Sequence, residues 1–145
     1  MPYKTVRALS DVDAAYIAGL IDGEGSVTLT HRHANERRQL VVSIANTEHC
    51  LLSFVIAAVG AGKITRKRTT SALHRPSFCY SIANRQALDL LQQIRPFLKG
   101  YKRERASLVL RVYVVLTPRN GKYTLELRKA RDMFEAEFLR LTPTE

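Results

Sequence analysis

Cysteine, acidic residues and long apolar runs are all scarce in this chain. Only Cys50 and Cys79 occur, far apart, and no second Cys or His pair gives the spacing of a zinc site. Both thiols are therefore expected to be reduced and partly buried in an intracellular protein. The longest apolar runs, such as LVLRVYVVL, are broken by Arg111 and far too short for a bilayer, and the start MPYKTVRALSDVD has no apolar leader core. A secreted or membrane-spanning protein is not expected. Acids number 13 against 23 lysines and arginines, a net charge of +10, which points to a polyanion as partner. No low-complexity linker divides the 145 residues, and 46% apolar content suffices for a core, so one domain over 1–145 is expected.

Periodicity orders the elements. Ser10 or Asp11 can cap a helix from about Val12 to Asp22, which Gly23 and Gly25 end. Val27 and Leu29 alternate with Thr28 and Thr30, and Leu40, Val42 and Ile44 share one face of RQLVVSIAN, the period of half-buried strands. The stretch TEHCLLSFVIAAVG reads as a helix started by Thr47 and closed by Gly60, with Leu51, Leu52, Val55, Ile56 and Val59 as its apolar side. GKITRKRTT and PSFCYSIAN form a second strand pair, with Ile64, Phe78, Tyr80 and Ile82 inward, followed by the helix RQALDLLQQI. KRERASLVLRVYVVL reads as a helix, TPRNGK as a turn and YTLELRKARDMFEAEFLRL as a final amphipathic helix. The fold class predicted is α+β, in the order αββαββα, with four antiparallel strands backed by helices on one face.

The other face of that sheet is small, polar and cationic. It carries Gln39, Val41, Ser43 and Ala45 on the second strand, Lys63, Thr65 and Lys67 on the third, and Ser77, Cys79 and Ser81 on the fourth. Such a surface can lie in a DNA groove without burying unpaired charge. KITRKR, with four cations in six residues, favours a polyanion that relieves their repulsion. A strand of about eight residues at ~3.3 Å each covers on the order of eight base pairs. Thr28, Thr30, Arg32, Gln39, Ser43, Lys63, Thr65, Lys67 and Ser81 are the candidates for base or phosphate contact. His31, His33, His49 and His74 are scattered through polar connections and read as solvent or phosphate contacts rather than general bases.

AAYIAGLIDGEGS, residues 14–26, combines small residues four apart with an acidic turn. Ala15, Gly19 and Gly23 are spaced by four, as are Ala14 and Ala18, giving a smooth stripe for close approach of a second helix. A glycine inside a helix is roughly 1 kcal/mol less favourable than alanine, so some packing must offset it. Within this stretch IAGLIDGEG, residues 17–25, resembles the signature of the LAGLIDADG homing endonucleases, with Ile17, Gly23 and Glu24 replacing its leucine, alanine and second aspartate. SIANTE, GAGKI and RPFLKGYKRERASLVL are similar to the corresponding parts of single-motif members, so the resemblance spans most of the chain.

The resemblance implies that two motif helices pack side by side and that the acid ending each faces DNA. Only one copy of the motif occurs, so a homodimer must supply both helices, with Ala15, Ala18, Gly19 and Asp22 at the interface and a near-palindromic duplex as target. It implies that Glu24 and the Gly23 carbonyl bind Mg²⁺ or another divalent cation such as Mn²⁺. Asp22 corresponds to the motif's first acid and settles the helix end. Asn46 corresponds to a polar residue that positions the hydrolytic water, and Lys102 to a lysine that polarises water or stabilises the phosphorane. The KGYK stretch is one residue longer than in some relatives, which keeps Lys99 and Arg103 as alternative counterparts. The implied reaction is metal-assisted phosphodiester hydrolysis leaving short 3′ overhangs, with no membrane and no small-molecule substrate. A non-cleaving maturase or regulator on the same scaffold is the alternative. A ribosomal-type RNA-binding module would explain the charge but not the glycine stripe or the acidic turn.

Overall fold

In the computed structural model, which describes residues 4–31, 33, 37–67 and 75–144, α1 (Asp11–Glu24) leads straight into β1 (Gly25–Thr30). There follow β2 (Gln39–Asn46), α2 (His49–Val59), β3 (Lys63–Lys67), β4 (Ser77–Ala83) and α3 (Asn84–Ile94). A 3-10 turn (Arg95–Phe97), α4 (Tyr101–Val112) and α5 (Leu125–Arg140) complete the chain. The sheet order is β1-β2-β4-β3 with every neighbouring pair antiparallel, so two hairpins abut through β2 and β4. This is the α+β architecture that the periodicity predicts.

The alternation decides which face is covered. Val27, Leu29, Leu40, Val42, Ile44, Tyr80 and Ile82 are buried beneath the helices, while Thr28, Thr30, Val41, Ser43 and Ser81 between them are only half-buried. Ile64 and Phe78, expected inward, are half-buried: Ile64 lies on the edge strand β3, and Phe78 is the second residue of β4. Ala14, Ile17, Ala18 and Ile21 of α1 pack into the same core with Leu52, Val55 and Val59 of α2 and Leu90, Leu91 and Ile94 of α3. Among the described residues no helix is long and apolar enough to cross a membrane.

Local chemistry fixes the ends. Ser10 Oγ accepts from the Asp13 amide at 3.2 Å, starting α1 as expected. Thr47 does not start α2: the N-cap is Glu48, whose side chain makes no capping bond, and whose amide donates to Asn46 Oδ1 at 2.8 Å in a tight turn between β2 and the helix. Gly60 closes α2 with φ 77°, and Gly62 at φ 101° turns into β3 against Tyr80; a Cβ there would lie 2.6 Å from that ring. The fourth helix ends at Val112 rather than Leu116, and Tyr113 to Leu116 form turns ahead of Pro118. Only β2 reaches eight residues among the described strands. Cys50 lies exposed on the outer side of α2, not partly buried; Cys79 is half-buried, and both are free thiols.

Candidate active site and nucleic-acid interface

The end of α1 is built around Gly25. Its ideal Cβ would sit 2.7 Å from the Ser43 carbonyl oxygen and 2.8 Å from Ile21 Cα, both backbone atoms, so only glycine lets helix turn into strand here without a loop. Gly25 pairs with Ile44 in the β1–β2 ladder, which brings Glu24 to the last residue of β2. There Asn46 Nδ2 donates to Glu24 Oε2. The sequence candidates Glu24 and Asn46 are thus joined directly, with the carboxylate exposed and the amide half-buried. Asn46 is anchored in turn through Oδ1 to α2, as described.

The first turns of α4 hold this corner from behind. Asp22 accepts from the Lys99 and Gly100 amides at 2.8 and 3.3 Å, placing a carboxylate at the positive N-terminus of α4. Lys102, 8% exposed, donates Nζ to the Ile21 and Asp22 carbonyls at 2.7 and 3.0 Å, caps for the negative end of α1. Burial pushes the Lys102 ammonium below the ordinary lysine value, Asp22 opposes that push, and Arg105 adds to it. Of Lys102, Lys99 and Arg103, it is Lys102 whose side-chain nitrogen lies against the motif helix, while Lys99 contributes its backbone amide. Sequence reasoning missed Arg105, whose Nη1 donates to the Val27 carbonyl at 2.9 Å; the partners are far apart in the chain and no local signal links them.

The small-residue stripe divides in two. Ala18 is fully buried beside Ala14, Ile17 and Ile21 in the chain's own core, so it is not available to a partner helix, contrary to the expectation. Ala15, Gly19 and Gly23 face outward, and a Cβ on Gly19 or Gly23 would meet nothing within 4 Å. Asp22 is half-buried and engaged by α4. The outward stripe continues in Val12, 78% exposed, and Tyr16, 44% exposed, whose ring stands edge-on to Phe54 of α2 at 5.3 Å. Val12 and Tyr16 precede Gly19 at helical spacing, a signal legible in the sequence but not used.

On the uncovered sheet face the register sets Ser26, Ser43, Ser81 and Lys63 in one row across all four strands, with Ser26 and Ser43 hydroxyls 2.7 Å apart. Ala45, Cys79 and Thr65 form the next row, and Lys67 stands opposite Ser77. Thr28 and Thr30 lie on the same face of β1. Gln39 is tied at its oxygen by Asn84 Nδ2 at 3.1 Å; Asn84, at φ 55°, also accepts from the Tyr113 hydroxyl. Arg32 and His74 lie outside the described residues. His49 is packed edge-on to Phe78, and its Nδ1 is hydrogen-bonded with Ser53 Oγ at 3.0 Å. Among the described residues no group of three or more His, Cys, Asp or Glu side chains converges.

No protein-family model matches the sequence, and no curated protein matches it. Solved structures do. The homing endonuclease I-CvuI, in complex with its target in the presence of calcium, superposes with a TM-score of 0.74 at 17% identity, over 93% of this chain and 85% of that one. The archaeal intron-encoded homing endonuclease I-Vdi141I, complexed with DNA, gives 0.63 at 18% identity over 93% and 87%. The LAGLIDADG meganuclease I-AabMI, bound to uncleaved DNA, gives 0.64 at 19% identity over 85% of this chain and 43% of its own. With the motif helix, the paired hairpins and the acid at the helix end in the same chain, the fold is that of the LAGLIDADG homing endonucleases.

Proposed function

We propose that this chain is a metal-dependent DNA endonuclease of the homing type, a single nuclease domain that acts as a homodimer on a long, near-palindromic duplex site. The observation that carries the proposal is the outward face of α1. Gly19 and Gly23 weaken the helix, lie on its exposed side where an added Cβ would meet nothing beyond the helix's own backbone within 4 Å, and lead to an exposed carboxylate on Glu24. A second copy packed along Val12, Ala15, Tyr16, Gly19 and Gly23 gives those glycines their return and sets two Glu24 carboxylates near one another. The net charge of +10 and the DNA complexes of the structural relatives support the polyanion as duplex DNA.

The Glu24 carboxylate and the Gly23 carbonyl are hard oxygen donors, which fit Mg²⁺ or Mn²⁺; one chain offers too few of them, and two chains offer a shared set. A bound divalent cation supplies Lewis-acid stabilisation of the phosphoryl group and a more acidic water. Asn46 fixes the rotamer of Glu24 through its amide. Lys102 holds the carbonyl end of α1 and places positive charge beneath the acidic turn. Thr28, Thr30, Gln39, Ser43, Lys63, Thr65, Lys67 and Ser81, with Arg32, read or grip the duplex from the open sheet face, and each active site cuts one strand to leave short 3′ overhangs.

The test is incubation of the purified protein with a randomised duplex library and Mg²⁺, followed by sequencing of the ends. Paired, site-specific breaks on opposite strands are expected. Absence of such breaks with every divalent metal tried refutes the nuclease, and sequence-specific retention of uncut duplex would replace it with a non-cleaving binder.

A further inference from the structure

The last helix grips the first hairpin from outside the sheet. Both backbone groups of Arg38, the residue before β2, are bound by α5 side chains one turn apart: its amide donates to Glu135 Oε1 at 3.0 Å, and its carbonyl accepts from Arg131 Nη2. Asp132 pairs with Arg37 on the same turn. Arg131 is 1% exposed, and among the described residues no acid pairs with it. Its guanidinium lies 4.9 Å from the Tyr113 ring centre and 5.2 Å from that of Phe134, and it donates to Thr117 Oγ1 as well. A buried cation without a counter-ion is unfavourable unless oxygens and ring faces surround it; here they meet both Nη groups, while the buried Nε has no hydrogen-bond partner.

At the other end of the hairpin Arg105 repeats the device. It stacks between Tyr101 and Phe138, at 5.1 and 4.7 Å, and bridges the Val27 carbonyl of β1 to the Leu141 carbonyl that closes α5, at 2.9 and 2.8 Å. In a chain so basic, two arginines are turned inward onto backbone carbonyls of the same hairpin, one near each end.

We propose that α5 is the positioning element of the β1–β2 hairpin, fixing the reach of Thr28, Thr30, Gln39 and Ser43 toward the base pairs they read. Arg131 and Glu135 are positioning residues that set target specificity without touching DNA. This rests on the reading of the open sheet face as a duplex-binding surface.

Glu135→Ala, Arg131→Met and Arg131→Lys in the full chain test it, each profiled for binding by selection from a randomised duplex library and then over all single-base variants of the duplex that the parent selects. Expected for Glu135→Ala and Arg131→Met is a rise of roughly tenfold in Kd for the preferred duplex. Base preference flattens at the pairs under β1–β2 and persists at those under β3–β4. The slope of log Kd against log salt stays as in the parent, since no phosphate contact is lost. Hydrogen exchange accelerates in residues 39–46, and Arg131→Lys rescues only partly because it lacks the planar fork. A folded Glu135→Ala with the parent's base profile overturns the proposal, as does a uniform loss of preference at every position. If Arg131→Met fails to fold, half-exposed Glu135 decides. A parent that binds no duplex overturns the DNA reading and this one together; variants that match a binding parent overturn this one alone.

Discussion

Gly19→Ala is predicted to act with opposite signs on the single chain and on the proposed dimer. In the monomer the added methyl meets no atom beyond its own helix backbone within 4 Å, and the position lies inside a 14-residue helix, so the substitution removes only the helix penalty of glycine. That penalty is about 0.8–1 kcal/mol, which raises the unfolding temperature by roughly 2–4 °C for a domain of this size. In a dimer paired along the outward stripe the same methyl enters a backbone-to-backbone contact from both subunits. Overpacking of that kind is unfavourable by about 1–3 kcal/mol, which raises the dimer Kd roughly 5- to 150-fold. Sedimentation equilibrium over a dilution series, beside thermal unfolding at concentrations below the dimer Kd, separates the two effects. Gly19→Leu extends the series and should leave only monomer. A Gly19→Ala monomer less stable than the parent refutes the open placement of the glycine, and a Gly19→Leu chain that still dimerises refutes the interface.

On the proposed metal-ligand role, Glu24→Gln should abolish cutting while preserving or strengthening duplex binding, because the amide lacks the charge and its repulsion of phosphate; a folded variant that loses binding in gel-shift titrations removes that role. Gly25→Ala should destabilise the fold by about 1–3 kcal/mol, since the methyl collides with backbone on two sides; an unchanged urea midpoint disproves the close approach. Tyr80→Phe loses the hydroxyl bond to the Ala61 carbonyl at 2.7 Å, worth about 1 kcal/mol at neutral pH. Burial raises the Tyr80 pKa, so as pH climbs past 10 the unfolded chain releases a proton that the folded chain keeps, and stability falls. The phenylalanine variant should lack that part of the alkaline loss in urea midpoints taken at pH 9 and 11, and identical slopes would contradict the buried phenol.

The strands were legible because alternation is a one-residue code: Val27 and Leu29, then Leu40, Val42 and Ile44, could face the helices in only one register. Helix boundaries were less so, because long-range groups compete with local caps. Asn46 turns the chain at Glu48 so that the helix starts one residue later than the Thr47 cap predicts, and Pro118 with the β-branched run before it ends α4 a turn early. The two small-residue rows of α1 show another limit. Ala14 with Ala18, and Ala15 with Gly19 and Gly23, are adjacent around the helix and identical in spacing; only the larger Ile17 and Ile21 flanking the first row commit it to the core. The contacts of Lys102, Arg105 and Arg131 join segments far apart in sequence, and no pattern of neighbours encodes them.

The electrostatics of the motif turn argue for its purpose more directly than its letters do. A carboxylate at a helix C-terminus faces the negative end of the dipole, an arrangement disfavoured by about 0.3–1 kcal/mol at a surface. The chain holds 23 cationic side chains, yet among the described residues the group bonded to Glu24 is the neutral amide of Asn46, and the buried ammonium of Lys102 is turned to the carbonyls of Ile21 and Asp22. Asp22, two residues earlier, shows what a satisfied acid looks like here: it is half-buried, doubly bonded and set at a helix N-terminus. Selection for stability alone would give Glu24 a lysine or replace it. An acid kept at an unfavourable helix end, oriented by a group without charge and standing beside an outward stripe of small residues, is what the proposed metal-ligand role requires.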